Sequence, residues 1–137
     1  KSGALRICID PKPLNEALKR ERYQIPVIDD LLPNLSEARV FFKVDLASAF
    51  WHLELDEESS KLTTFSTPYG RFRWLRLPFG LNVSSEIFQE RLNQELLGLE
   101  GVRCIADDIL VYGTNEKDDQ NFERLLERCK EKSIKLN

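Results

Sequence analysis

The sequence has one histidine, His52, and three cysteines, none of them in a Cys-x-x-Cys pair. A His/Cys zinc centre needs more ligands at closer spacing, so zinc is set aside. Cys8, Cys104 and Cys129 are odd in number and are read as small buried residues rather than nucleophiles. The default is a reducing, intracellular compartment. No apolar run is long enough to span a membrane, and no signal peptide is visible. No internal repeat or low-complexity linker divides the chain. Basic residues are also short: 20 Lys and Arg stand against 23 Asp and Glu, a net charge of −3. That weighs mildly against a nucleic-acid partner but does not decide it. Phosphate contacts depend on where Lys and Arg lie, and an acidic catalytic centre lowers the total.

What is present suffices for one domain. The chain has 137 residues, 42% hydrophobic and 31% charged, so a soluble globular piece with a real core is expected. It begins at Lys1 and ends at Asn137 as a new segment starts, and we read it as an excised or processed part of something larger. The stretch CIADDILVY at 104–112 organises the rest: apolar residues lead in, Asp107 and Asp108 follow, and apolar residues lead out. Strands joined by a tight polar turn read this way. Two readings of the acids stand. Asp is common in turns, so they can be a solvated tip. Adjacent carboxylates also repel, and a hard divalent cation, which prefers oxygen ligands, removes that repulsion.

The remaining elements follow in order. Residues 5–9 (LRICI) read as a short strand, ended by the prolines of DPKP at 10–13. The charged stretch 19–22 is either a solvated face or a nucleic-acid contact. Pro26 opens a helix over 27–35. VFFKVD at 40–45 is an apolar, β-favouring run ending in an acid, and 46–51 turns away from it. Asp56, Glu57 and Glu58 mark a solvated turn or a helix start. LTTFST at 62–67 and FRWLR at 72–76 flank Pro68-Tyr69-Gly70 as a hairpin. After a loop at 77–81, Asn82, Ser84 and Ser85 are candidate caps for a helix carrying Phe88, Leu92, Leu96 and Leu99, which Gly101 stops. A hairpin over 102–112 follows. A last helix over about 117–132 shows Phe122, Leu125, Leu126 and Cys129 on one face. The expected fold is α+β: an antiparallel-rich sheet backed by helices on one side.

In a buried strand Asp45 emerges at the carboxyl end, where α/β proteins place functional groups. If the 102–112 hairpin pairs beside that strand, Asp45, Asp107 and Asp108 converge. Three acids share so small a space only with bound cations. Two magnesium ions about 4 Å apart fit, one activating an attacking oxygen and one holding a leaving phosphate. That chemistry is phosphoryl or nucleotidyl transfer.

Several motifs in order then resemble a known family: RICIDPKPLN at 6–15, YQIPVIDDLL at 23–32, FKVDLASAF within 41–50, TPYGRFRWLRLPFGL at 67–81, EIFQER at 86–91, and the Ala-Asp-Asp hairpin. The chain is similar nearly end to end to the fingers and palm of reverse transcriptases, those of gypsy-type LTR retrotransposons above all. The resemblance implies a polymerase palm (about 41–57 and 81–137) with partial fingers (about 1–40 and 58–80), without thumb, connection or RNase H. It implies Asp45, Asp107 and Asp108 as catalytic carboxylates, with Asp45, Leu46, Asp107 and Asp108 at two Mg2+ ions or Mn2+ in their place. In such enzymes Asp45 and Asp107 bridge the metals and Asp108 acts less directly. Phe50 matches the steric gate, a ring that leaves no room for a 2′-hydroxyl. Backbone amides near Ser48 and Ala49 face the triphosphate, as anion nests do, and Arg6 holds it from the fingers. Phe79 packs on sugar or base, and Gly80 allows close backbone approach. Lys1 and Pro78 are further candidate nucleotide contacts, and Arg71, Arg73 and Arg76 are either phosphate or template contacts or a solvated hairpin face.

The implied function is an RNA-directed DNA polymerase adding dNTPs to a primer 3′-OH on an RNA or DNA template. Its partners are that primed template, dNTPs and the other polyprotein parts (thumb, RNase H, protease and integrase), with no membrane. Its place is the cytoplasm, particle-associated in the parent element. Ile105 departs from the family's usual Tyr-x-Asp-Asp, which leaves the metals alone and alters the primer side. Without a thumb, the isolated chain is expected to polymerise weakly or not at all. Two alternatives stay open. One is a host-adopted remnant that binds nucleic acid or protein without catalysis; the other is a related palm enzyme that makes RNA, which Phe50 opposes. His52, Trp51 and Trp74 receive no role beyond packing.

Overall fold

VFFKVD alternates two sides of a pleat, as strand geometry dictates. In the computed structural model, which describes residues 7–19, 23, 35–36, 38–105, 108–113 and 118–137, it forms strand β1 (Val40–Asp45). Two more strands, β4 (Val102–Ile105) and β5 (Asp108–Gly113), complete an antiparallel sheet in the order β1-β5-β4. The register sets Val44 against Ile109 and Phe42 against Val111, with Val102 and Cys104 on the far side of β5. These residues share one face. Against it pack Phe88 and Leu92 of α3 (Ser84–Glu95), Leu96 just beyond it, and Leu125 and Cys129 of α4 (Asp118–Glu131). Ile109, Val111 and Leu125 have no exposed surface. Each such aliphatic side chain contributes roughly 1.5–3 kcal/mol by leaving water. The expected architecture is therefore observed: helices back one face of an antiparallel sheet. The other face, with Phe41, Lys43, Asp45 and Asp108, is left towards solvent.

The two helices are tied at their ends. Arg128 of α4 donates to the carbonyls of Glu95 (2.7 Å) and Leu97 (3.2 Å), satisfying acceptors that the end of α3 leaves unpaired. Buried Gln89 reaches from α3 to the carbonyl of Cys104, 3.1 Å away. Among the described residues no helix is long and apolar enough to cross a membrane.

Several expectations are corrected. Residues 7–9 form no more than a bridge, Cys8 beside Phe79, and a short helix α1 (Lys12–Ala17) follows where none was expected. The predicted helix over 27–35 lies, except for Leu35, outside the described residues. The hairpin is shorter than its β-rich composition suggested, with β2 (Phe65–Thr67) and β3 (Gly70–Phe72). Leu62 ends a helix α2 (Glu57–Leu62) instead, because Asp56 caps that helix by accepting from the Ser59 amide at 2.9 Å. None of Asn82, Ser84 and Ser85 is the cap of α3. Val83 occupies that position, since Asn82 bonds Asn15 of α1 and the Ser84 hydroxyl donates to Pro78. Gly101 does not stop α3, which ends at Glu95; at φ 66° it lets the chain enter β4 where a Cβ would strike Asn121 and the Tyr112 carbonyl. Leu126 is 41% exposed and lies off the buried stripe of α4.

Candidate active site

The solvent face of the sheet places acids by register. Asp45 is the last residue of β1 and Asp108 the first of β5, and the two are direct cross-strand partners. Like charges directly opposite each other destabilise a sheet. Two neighbours answer that repulsion. Lys43, two residues before Asp45 and so on the same face, reaches Asp108 at 2.8 Å. Asn137 donates its side-chain amide to Asp45 Oδ2 at 2.6 Å. The hydrogen bond to Asp108, and then its charge, raise the Lys43 pKa above the ordinary lysine value. With Lys43 68% and Asp108 40% exposed, the pair adds little to folding and is read for its electrostatics.

Asp107 and Ala106 lie outside the described residues, as do Arg6 and Lys1. Among the described residues no three His, Cys, Asp or Glu side chains converge as a metal-binding group. Asp45 and Asp108 nevertheless offer the all-oxygen chemistry that hard divalent cations take, on adjacent strand ends. Leu46 puts its side chain in the core at 4% exposure, so only its backbone can face a cation.

Beyond Asp45 the chain reverses at Ser48, which is left-handed at φ 55° and ψ 48°, and enters a 3₁₀ helix, Ala49–His52. This turn sets Phe50 on Phe79 (ring centroids 4.8 Å) and on Phe88 (5.6 Å). Trp51 packs on Phe79 at 6.0 Å and on Trp74 at 6.2 Å. The expected gate residue, Ser48, Ala49 and the LPFG loop are thus brought together. Ile9 fixes that loop by donating its amide to the Phe79 carbonyl at 2.9 Å. Gly80 does allow a close approach, but to protein: at φ 108° a Cβ would run into the Ile9 carbonyl. Pro78 is fully buried, so it supports the loop and presents no contact surface.

The arginines divide. Arg71 and Arg73 are exposed on and beside β3. Arg76 is engaged with protein, pairing with Glu54 at 2.8 Å and donating to the Trp51 carbonyl at 2.9 Å. Sequence reasoning passed over Lys43, His52 and Asn137. Strand alternation alone marks Lys43, which shares a face with Asp45. No pattern links Asn137 to a residue ninety-two positions earlier.

Comparison with known proteins agrees with this geometry. The reverse transcriptase (RNA-dependent DNA polymerase) family matches residues 1–137. The retrovirus-related Pol polyprotein from transposon 412 of Drosophila melanogaster is 36% identical over 135 residues, covering 96% of this chain and 11% of the polyprotein. The enzymatic polyprotein of Cauliflower mosaic virus (strain Strasbourg) is 33% identical over 137 residues, 98% of this chain and 20% of that one. The chain thus spans between 11% and 20% of the length of these relatives. A foamy viral protease-reverse transcriptase, solved in complex with double-stranded DNA, shares the fold with a TM-score of 0.85 at 21% identity, over 96% of this chain and 24% of its own. From the acids at the sheet edge to the full-length family match, the chain belongs to the reverse transcriptase (RNA-dependent DNA polymerase) family.

Proposed function

We propose that the chain is the fingers-and-palm part of an RNA-directed DNA polymerase, joining dNTPs to a primer 3′-OH on an RNA or DNA template. The observation that carries this reading is the register of Asp45 against Asp108 on the solvent face of the sheet. Two opposed carboxylates cost a sheet stability, which Lys43 and Asn137 offset only in part and a cation held between the strand ends would restore. Asp45, Asp107 and Asp108 would hold two Mg2+ ions, which when bound supply charge neutralisation at the attacking and leaving oxygens. The protein's own work is positioning. The turn at Ser48 and Ala49 presents backbone amides to the triphosphate, and Arg6 holds it. Phe50, braced by Phe79 and Phe88, bars a 2′-hydroxyl.

The remaining assignments belong to the same proposal. Fingers take about 1–40 and 58–80, and palm about 41–57 and 81–137. Thumb, connection and RNase H, with protease and integrase, are supplied by the rest of a polyprotein of the kind seen in the relatives. The parent acts in the cytoplasm, within a particle. By itself the chain extends primers weakly, since a thumb is what keeps a duplex in place during translocation. A binding remnant that had lost catalysis would have no need of Asp45, Asp108 and Phe50 together.

Primer extension by a longer form that includes the thumb tests the reading. Extension on both RNA and DNA templates, lost in Asp107→Asn, is the expected result. Equal extension by Asp107→Asn refutes the site, and robust extension by the isolated chain refutes the dependence on the thumb.

A further inference from the structure

His52 and the residues at 134–137 have no part in the chemistry above, yet they meet next to Asp45. After α4 the chain turns at Ser133, left-handed at φ 55°, and runs back antiparallel beside the residues that follow β1. Leu136 bridges Leu46, the Ala47 amide donates to the Lys135 carbonyl at 3.0 Å, and the Asn137 amide donates to the Asp45 carbonyl at 3.0 Å. Leu46 and Leu136 pack into the core, which gives this short pairing an apolar footing.

Two side chains complete it. The Lys135 amide donates to His52 Nε2 at 2.8 Å, and His52 Nδ1 lies 2.9 Å from the Ala49 carbonyl. An acceptor at Nε2 and a carbonyl at Nδ1 specify one ring form, neutral and protonated at Nδ1. Both ring nitrogens are thereby used, leaving His52 none for a metal or a substrate proton. Asn137 then places its amide NH2 on Asp45 Oδ2. This donor is uncharged, so it fixes the carboxylate plane without adding a cation to compete with a metal. Asp108 has the opposite arrangement, its partner being the ammonium of Lys43. A metal ion approaching the pair meets less opposition at Asp45.

We propose that His52 and Asn137 are positioning residues for Asp45: His52 clasps the returning segment to the 3₁₀ helix, and Asn137, held by that clasp, orients the Asp45 carboxylate for a divalent cation. The inference rests on the reading that Asp45 is a metal ligand. Outer-shell partners of metal-binding carboxylates typically carry about 10- to 100-fold in affinity, which sets the size of the effect.

The test uses the 137-residue chain, Mn2+ alone as the probe and amide hydrogen exchange without metal. Asn137→Ala is expected to weaken Mn2+ binding about tenfold while leaving the unfolding midpoint near that of the parent. His52→Phe keeps a ring and loses both hydrogen bonds; exchange at Lys135 and Ala47 should accelerate about tenfold, with Ile109 and Val111 unchanged. His52→Gln, which supplies one donor and one acceptor, should restore slow exchange and Mn2+ binding, a rescue that loss of packing would not allow. Unchanged Lys135 exchange in His52→Phe overturns the clasp. Mn2+ binding in Asn137→Ala equal to the parent's overturns the orienting role. If the parent binds Mn2+ no better than Asp45→Asn, it is the metal reading that falls.

Discussion

The two faces of the β1-β5-β4 sheet obey different rules although they alternate residue by residue along the same strands. On the inner face Ile109 and Val111 are fully buried in one hydrophobic cluster with Leu125. On the outer face Asp45 and Asp108 oppose each other, with Asn137 on Asp45 and Lys43 on Asp108. The inner face spends no charge and supplies the stability. The outer face gives up stability to hold carboxylates in register. A one-residue slip of β5 would exchange the two sets, so the packing of Ile109 and Val111 is also what places Asp108.

The largest effects should separate the faces cleanly. Leu125→Ala removes a fully buried side chain and should cost about 2–5 kcal/mol of unfolding free energy, read from urea denaturation. Asp45→Asn should leave that midpoint in place and, in a form that includes the thumb, lower nucleotide incorporation about a thousandfold, the equivalent of about 4 kcal/mol of lost charge stabilisation. An Asp45→Asn chain that unfolded in much less urea than the parent would mean that the outer face is structural after all.

This division explains what could be read in advance. Inner-face positions announce themselves by alternation in VFFKVD and by helical spacing in Phe88 and Leu92, so the sheet, its backing helices and the place of Asp45 were legible. Asp107 and Asp108 gained meaning only through the motifs around them. Tertiary hydrogen bonding was not legible. Asn82 and Ser84 look like caps because short polar side chains favour that position. The structure uses them instead to lock the loop at 77–81 onto α1 and α3. Gly80 does permit a close approach, but what approaches in the structure is the Ile9 carbonyl, which no motif announces. The partners of the carboxylates were the least visible, because Asn137 meets Asp45 only after the whole fold has closed.

Phe50 lies on the border between the two regimes, packed on the core and proposed as the gate. Its ring packs on Phe79 and Phe88, so packing alone would account for it. Phe50→Val distinguishes the roles. As a gate, its loss should reduce dNTP-over-rNTP preference about tenfold or more, the scale on which pocket shape discriminates between substrates. The readout is the ratio of incorporation efficiencies, which is insensitive to how much protein stays folded. An unchanged ratio with lower stability would assign Phe50 wholly to the core.

The smallest effect concerns a carboxylate that resembles Asp45 in exposure and in having nearby donors, yet serves only folding. Asp56 accepts from the Ser59 amide at 2.9 Å and from the Ser59 hydroxyl at 2.7 Å, capping α2. The backbone hydrogen bond, then the hydroxyl, hold its pKa below the ordinary aspartate value. A carboxylate stabilised in this way contributes fully above the unfolded-state pKa, near 3.8, and loses that contribution as the pH falls through its lower folded value. Asp56→Ala should therefore lower the thermal midpoint by a few degrees at neutral pH, and the difference from the parent should shrink as the pH is taken well below 4. Asp56→Asn keeps an acceptor at the cap but loses the charge and should recover only part of the stability, whereas Asp45→Asn, an equally conservative change, should recover no activity. A gap between parent and Asp56→Ala that stayed constant from neutral to strongly acidic pH would show that the charge of Asp56 does not matter to α2. The contrast between a carboxylate that caps and one that binds would then have to rest on Asp45 alone.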